Sequence, residues 1–189
     1  MRIIAGTHKG RKLASLPGRA ARPTGGKVRE AIFSICTKAV RDAVVLDLFA
    51  GTGALGLEAI SRGAAKAVFI DSDRPGIEVI RKNIAACGEG YRSIVIRADI
   101  RAGLHPLAAT GLFYDLVFID PPYNRRAIRR TLENLVKTKT LNPGATIVIE
   151  HGKNETNFTD IHGLEVVDRR KYGKTLVTFM KWLRTPAGG

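Results

Sequence analysis

Cysteine is scarce in this 189-residue sequence, long apolar runs are missing, and acids are outnumbered almost two to one. Each shortage removes a class of explanation. Cys36 and Cys87 stand far apart and without ligand spacing, which argues against a disulfide framework or a thiolate metal site. Both are expected to be small buried residues. His8, His105, His151 and His162 share no ligand spacing either, so no metal is expected. No run approaches the roughly 20 apolar residues that cross a bilayer, and the first ten residues lack the apolar stretch of a secretory leader. A cytoplasmic protein with no membrane partner is the expectation. There is no internal repeat and no low-complexity segment, and nothing demands a dimer, so a monomer is expected.

What remains is an ordinary globular composition, 44% apolar and 25% charged, long enough for one domain to bury its own core. The shortage of acids leaves 31 Lys and Arg against 17 Asp and Glu, a net charge of +14 that suits a polyanionic partner. The excess is uneven. Residues 1–41 carry ten basic side chains (Arg2, Lys9, Arg11, Lys12, Arg19, Arg22, Lys27, Arg29, Lys38 and Arg41) against the single acid Glu30. A solubilising tail would also be basic, but the clustering favours phosphate binding over that alternative.

Residues 1–26, rich in Gly, Pro, Arg and Lys, read as a basic arm or hairpin laid on the core and partly ordered by its ligand, with extended pieces at Arg2–Ala5 and Arg11–Leu13. Residues 27–189 read as the catalytic domain. Val28, Ala31, Ile32, Ile35 and Ala39 fall at helical spacing, which predicts an amphipathic helix from Lys27 to about Arg41. Short Val-, Ile- and Phe-rich runs then alternate with helical stretches. Strands are expected at Ala43–Phe49, Ala67–Asp71, Ser93–Ala98, Tyr114–Asp120 and Ala145–Glu150. Helices are expected near Ala54–Arg62, Pro75–Cys87, Arg101–Ala109 and Arg125–Lys137. Such alternation predicts a doubly wound, mainly parallel α/β sheet. Leu164–Tyr172 and Thr175–Leu183, separated by Gly173-Lys174, predict a final antiparallel hairpin.

Gly51, Gly53 and Gly56 form G-x-G-x-x-G where the first core strand meets a helix, and Asp71 ends the next strand. Alone, this pattern also fits a dinucleotide site. Three residues favour a methyl donor, S-adenosylmethionine, over a nicotinamide cofactor. Asp47, just before the loop, would repel a pyrophosphate but can pair with the ammonium of a methionine moiety. Phe49 is bulky where a pyrophosphate needs room. Asp99 is placed to accept from an adenine amino group, while Asp71 accepts from ribose hydroxyls. Thr52 within the loop, Ser72 beside Asp71 and Ile100 beside Asp99 complete the candidate cofactor set, whose product would be S-adenosylhomocysteine.

The fourth strand ends in Asp120-Pro121-Pro122-Tyr123. Two prolines fix φ and remove two amide donors, leaving a stiff turn that presents carbonyl oxygens, a carboxylate and a ring. Such a turn suits methylation of an exocyclic amine on a base. The Asp120 carboxylate and the Pro121 carbonyl can accept the two N–H groups, and Tyr123 can stack on a flipped base. Four arginines follow, Arg125, Arg126, Arg129 and Arg130, as phosphate contacts or as a solvated helix face. Tyr172 and Lys174 on the final hairpin are candidate pocket residues.

With Arg2–Gly6, Gly10–Leu13, Arg22-Pro23-Thr24, Val28-Arg29-Glu30, Phe33, Asp47–Ala59 and Asp120–Tyr123, the chain resembles the RsmD family over essentially its whole length. These are bacterial 16S rRNA guanine-N2 methyltransferases. The resemblance implies a class I S-adenosylmethionine methyltransferase fold and a guanine N2 amine as acceptor. It also implies a small ribosomal subunit or an assembly intermediate as partner, contacted through Arg2, Lys9, Arg11, Lys12, Arg22, Thr24, Lys27, Arg29 and Tyr172. The sequence departs from the family at Gly25-Gly26, where relatives carry a polar pair ending in Asp, and Asp71 stands where many carry Glu. The competing expectations are an N6-adenine or N4-cytosine nucleic-acid methyltransferase and a catalytically silent RNA-binding assembly factor.

Overall fold

A computed structural model describes residues 1–16, 25–122, 127–155 and 157–183. In chain order the elements are α1 (Gly25–Ile35), α2 (Thr37–Val40), β1 (Val44–Leu48), α3 (Ala54–Ser61), β2 (Lys66–Asp71), α4 (Arg74–Cys87) and β3 (Ser93–Arg97). They continue with β4 (Tyr114–Ile119), α5 (Ala127–Thr138), β5 (Leu141–Gly152), β6 (Leu164–Tyr172) and β7 (Thr175–Trp182). One seven-stranded sheet runs in the order β3-β2-β1-β4-β5-β7-β6. The first five strands pair in parallel, and β7 lies antiparallel between β5 and β6. This is the mixed sheet the alternating pattern predicts, with the hairpin at its far edge.

The central strands are apolar because both of their faces are covered. Leu46 and Leu48 belong to the cluster packed beneath α5, while Val45 and Phe118 belong to the cluster beneath α1, α3 and α4. Phe33 of α1 meets Phe118 with ring centroids 5.4 Å apart, seating the first helix on the middle of the sheet. Cys36 and Cys87 are free and buried. No helix among the described residues is long and apolar enough to cross a membrane.

Three elements differ from the sequence reading. The first helix is described over Gly25–Ile35 and breaks at Cys36, where the Thr37 hydroxyl shares its one hydrogen between the carbonyls of Phe33 (2.9 Å) and Ser34 (3.0 Å) and so competes with the helical ladder. Residues 101–109 form no α-helix; only a 3-10 turn at His105–Thr110 appears, with Gly103 at φ 149 and Pro106 unable to donate. The fifth strand begins at Leu141, and a register irregularity between Tyr114 and Leu116 of β4 absorbs the Pro143-Gly144 segment.

Residues 1–16 are folded onto the domain. Arg2 and Lys12 bridge antiparallel, and Ile3 and Leu13 are buried in the core. The anchor is Glu58 of α3, with no exposure at all, whose carboxylate accepts from Ile4 N (2.8 Å) and Ala5 N (3.0 Å) and from Arg62 Nε (2.8 Å). Ser61 adds a second pin, accepting from His8 N (3.0 Å) and donating to the Ala5 carbonyl (2.6 Å). Because two amides and a guanidinium lose their acceptor together, Glu58→Ala is expected to lower unfolding free energy by about 3 kcal/mol, read from urea melts. A loss under about 1 kcal/mol would mean that the arm is held by Ile3 and Leu13 alone.

Candidate active site

Strand register brings the two sequence motifs to one edge. Leu48 of β1 is aligned with Ile70 of β2 on one side and Ile119 of β4 on the other. Phe49, Asp71 and Asp120, each one residue further, therefore lie side by side at the carboxyl ends of adjacent parallel strands, where open α/β sheets bind their ligands. Asp120 N reaches the Leu48 carbonyl at 3.5 Å, and Ala50 N reaches the Ile70 carbonyl at 3.0 Å. Loop and turn are thereby tied to neighbouring strands.

The loop has its own reasons for glycine at two positions. Gly53 is the N-cap of α3 with φ 75, a left-handed conformation that side chains rarely adopt. A Cβ on Gly56 would lie 2.3 Å from Phe69 Cε1, so only glycine lets α3 pack this closely on β2. Phe49 is itself held at φ 61, an uncommon conformation for a bulky residue and one that concentrates at functional turns.

Asp71 supports the loop from β2: its Oδ2 accepts from Gly51 N (2.8 Å) and its Oδ1 from Asp73 N (2.9 Å). Asp73 in turn caps α4, accepting from Gly76 N at 3.2 Å. Asp47 sits beneath the loop, 1% exposed, with Oδ2 accepting from Gly56 N at 2.9 Å. Burial pushes its carboxyl up to about 8, the Gly56 amide opposes that rise, and the nearby Asp120 and Asp71 add to it. Asp47 thus has a partner within the loop, the Gly56 amide, and pairing with a cation requires the carboxyl to ionise in a buried setting.

The pH consequence has a definite sign. A carboxyl near 3.8 in the unfolded chain and about 8 in the folded one contributes stability that is fully present below about pH 4 and lost as pH rises through about 8. A bound cation favours the ionised form. Affinity for S-adenosylmethionine is therefore expected to rise with pH from 6.5 to 8.5, by up to about tenfold per unit, and Asp47→Asn to flatten that dependence in calorimetric titrations. A slope shared by wild type and Asp47→Asn would assign the titration elsewhere.

The remaining candidates divide. Gly51, Thr52 and Gly53 lie in the loop as expected. Asp99 stands two residues beyond the end of β3, exposed, its carboxylate accepting from Arg101 N (3.0 Å), Nε (3.1 Å) and Nη2 (3.2 Å), and this pairing holds it below the usual carboxylate range. Ile100 is buried in the α5-side core and Ser72 is exposed. Pro121 is buried and Pro122 exposed; Tyr123, Arg22, Thr24, Arg125 and Arg126 lie outside the described residues.

Among the basic candidates, Arg2, Lys9, Arg11, Lys12 and Lys27 are not buried, and the first four are exposed or nearly so along the arm. Arg11 Nη1 donates to the Ala86 carbonyl (2.7 Å) and Arg2 Nη1 to Gly10 (2.7 Å), fixing both side chains. Arg29 is a correction. At 7% exposure it is a structural pin, with Nη2 donating to the Arg2 carbonyl at 2.5 Å and Nε 3.6 Å from Glu58. Its place in V-R-E on a helix face gave no sign of that burial. Arg129 is also committed, pairing with Asp160 and Glu133 and donating from Nε to the Asn157 carbonyl at 2.6 Å. Tyr172 is half-buried at the tip of the hairpin, opposite Thr175.

A glycine loop held by two carboxylates beside an Asp-Pro-Pro turn, on a sheet with this strand order, defines a Rossmann-like S-adenosylmethionine methyltransferase. Comparison with known proteins narrows that class. The family pattern described as conserved hypothetical protein 95 matches residues 1–181, and the chain belongs to that family, the RsmD family. It is 38% identical over 150 residues to ribosomal RNA small subunit methyltransferase D of Escherichia coli (strain K12), covering 79% of this chain and 74% of that one. The protein of the same name from Haemophilus influenzae is 32% identical over 161 residues, 84% and 82% of the two chains. Among solved structures, the Escherichia coli protein yhhF superposes with TM-score 0.85 at 33% identity, over 97% of this chain and 98% of its own. SMU.776, a methyltransferase solved as a complex with SAH, shares the fold at TM-score 0.63 and 18% identity over 82% of this chain and 48% of its own.

Proposed function

We propose that this chain transfers a methyl group from S-adenosylmethionine to the N2 amine of a guanine in 16S rRNA, acting in the cytoplasm as a monomer on the small ribosomal subunit or its assembly intermediate. The observation that carries the reading is the meeting of the glycine loop and Asp120-Pro121 at one sheet edge, with the open end of the folded basic hairpin of residues 1–16 reaching the loop at Thr52. The relatives named as small subunit methyltransferases supply the nucleic-acid class.

The residues fit a cofactor that is cationic at one end and rich in hydroxyls at the other. Asp47 and Asp71 hold a loop whose glycines let a ligand meet backbone, and a bound cation would favour the ionised form of Asp47. When bound, S-adenosylmethionine supplies an electrophilic methyl on sulfur. The chain does the rest by position and charge. Asp120 and the Pro121 carbonyl accept from the guanine amine and hold its nitrogen pyramidal. Tyr123 stacks on the flipped base, a contact worth about 1–3 kcal/mol. Asp120 stabilises the positive charge that develops on nitrogen and stands ready to take up the proton.

One basic element shares the carboxyl edge with this turn: the tip of the β6–β7 hairpin, aligned with Gly152 at the end of β5 and carrying Arg170, Lys171 and Lys174, all exposed. Lys9 and Arg11 of the arm lie by the far ends of α3 and α4, near Ser61, Ala86 and Glu89. Strand order puts β6 three strands from β4, about 14 Å at the usual spacing, a span that two or three nucleotides of RNA backbone cover. RNA crossing the sheet edge would meet the phosphate-binding groups of the hairpin, and RNA running on round the domain would reach those of the arm.

The deciding experiment supplies labelled S-adenosylmethionine and unmethylated small subunits, with nuclease digestion to identify the product. N2-methylguanine is expected. Label in adenine or cytosine, or in DNA and not in subunits, would overturn the reading.

A further inference from the structure

One buried side chain touches both the arm and the cofactor loop. Asn83 of α4, 1% exposed, accepts from Ala14 N at 2.7 Å through Oδ1 and returns a bond from Nδ2 to the Ala14 carbonyl at 3.2 Å. The same Nδ2 donates its other hydrogen to the Thr52 carbonyl at 2.9 Å. Both amide hydrogens are consumed, one on each structure, and no other residue type offers this set of groups at this length.

The Thr52 carbonyl belongs to the same peptide unit as Gly53 N, which donates to the Ala50 carbonyl at 2.7 Å. Asn83 therefore clamps one end of the peptide plane that sets Gly53 in its left-handed conformation and opens α3. With its other groups it grips Ala14, two residues beyond Lys12. A second, looser link runs the same way, from Thr52 Oγ1 to Met1 Sδ at 4.0 Å, and the Met1 carbonyl accepts from Leu13 N at 2.9 Å.

We propose that Asn83 is a positioning residue that couples the two sites, so that ordering the cofactor loop tightens the basic arm, and RNA held by the arm tightens the cofactor loop. This rests on the reading of the glycine loop as the cofactor site. Coupling of this kind is reciprocal by thermodynamic necessity: whatever factor RNA adds to cofactor affinity, cofactor adds to RNA affinity.

Hydrogen exchange on the full-length wild-type protein tests it without any mutation. Saturating S-adenosylhomocysteine is expected to slow exchange of the Ala14 and Gly10 amides by about fivefold or more, although neither belongs to the loop. Unchanged arm amides in protein that binds the product calorimetrically would overturn the coupling. Absence of binding to the wild type would instead overturn the cofactor reading itself.

Two variants add a readout that simple destabilisation would not give. Asn83→Asp keeps the acceptor for Ala14 N and loses both donors. It is expected to raise the KM for S-adenosylmethionine about tenfold with kcat little changed, and to abolish the exchange protection of the arm. Ser61→Ala loosens the arm at Ala5 and His8 but leaves Asn83 in place, and is expected to keep wild-type cofactor affinity. Equal loss of cofactor affinity in the two variants would overturn the assignment to Asn83. If Asn83→Asp does not fold, the wild-type exchange result decides.

Discussion

Asp120→Ala is expected to lower methyl transfer to small subunits by about 10²–10³-fold while leaving S-adenosylmethionine affinity close to the wild-type value. Asp120 stands one residue past the end of β4, half-buried, with its backbone tied to Leu48. In the mechanism proposed above, its carboxylate accepts from the incoming amine and faces charge that develops only during transfer. Losing it removes an interaction specific to the transition state, so the defect belongs in kcat. A second effect follows from the same geometry. Asp120 is one of the charges holding Asp47 up near 8, so the alanine variant should shift the pH dependence of cofactor binding toward lower pH. Asp120→Asn keeps an acceptor without the charge and should retain more activity than alanine. Strong loss of cofactor affinity in either variant would move Asp120 from the acceptor side of the site to the donor side.

Replacing Lys9, Arg11 and Lys12 together by alanine should weaken RNA binding and flatten its dependence on salt. Every phosphate that the arm no longer neutralises is worth roughly 0.7–0.9 of a unit in the log–log slope. Three such phosphates would cost about two to three units of slope and one to several decades of affinity at moderate salt. Lys9 and Lys12 are exposed, whereas Arg11 also donates to the Ala86 carbonyl, so the triple variant should lose a little stability as well. Melting temperature separates the two effects, since removing surface charge moves the slope and not the melt. A slope equal to wild type would make the arm a structural flap and leave RNA recognition to the hairpin.

The order of strands and helices was legible because buried parallel strands must be apolar on both faces, which makes Val44–Leu48 and Tyr114–Ile119 plain in the sequence. Where local chemistry competed with pattern, the reading failed. Ala and Leu at helical spacing over 101–109 could not outweigh Gly103 and Pro106, and the Thr37 hydroxyl broke a helix that hydrophobic spacing ran through. The basic residues were the least legible. Lys9 and Arg29 look alike as letters in a cationic stretch, yet one faces solvent and the other is sealed against Glu58 and the Arg2 carbonyl. Glu58 and Asn83 were missed as anchors of the arm, because the arm groups they hold lie 54 and 69 residues away and are backbone amides, which leave no trace in side-chain identity.

The glycine loop and the Asp120-Pro121-Pro122 segment are legible in sequence alone, since each needs particular residue types at fixed short spacing: glycine for a left-handed cap or a close approach, proline for a stiff backbone without amides. They are enough to select a methyltransferase fold. Only the tertiary structure decided that Asp47 lies beneath the loop on Gly56 N, where burial makes it hard to ionise. Only the structure, too, joined the arm to the loop through Asn83. Burial and long-range hydrogen bonding depend on where the chain returns to itself, and that is set by packing of the whole domain rather than by any local run of residues.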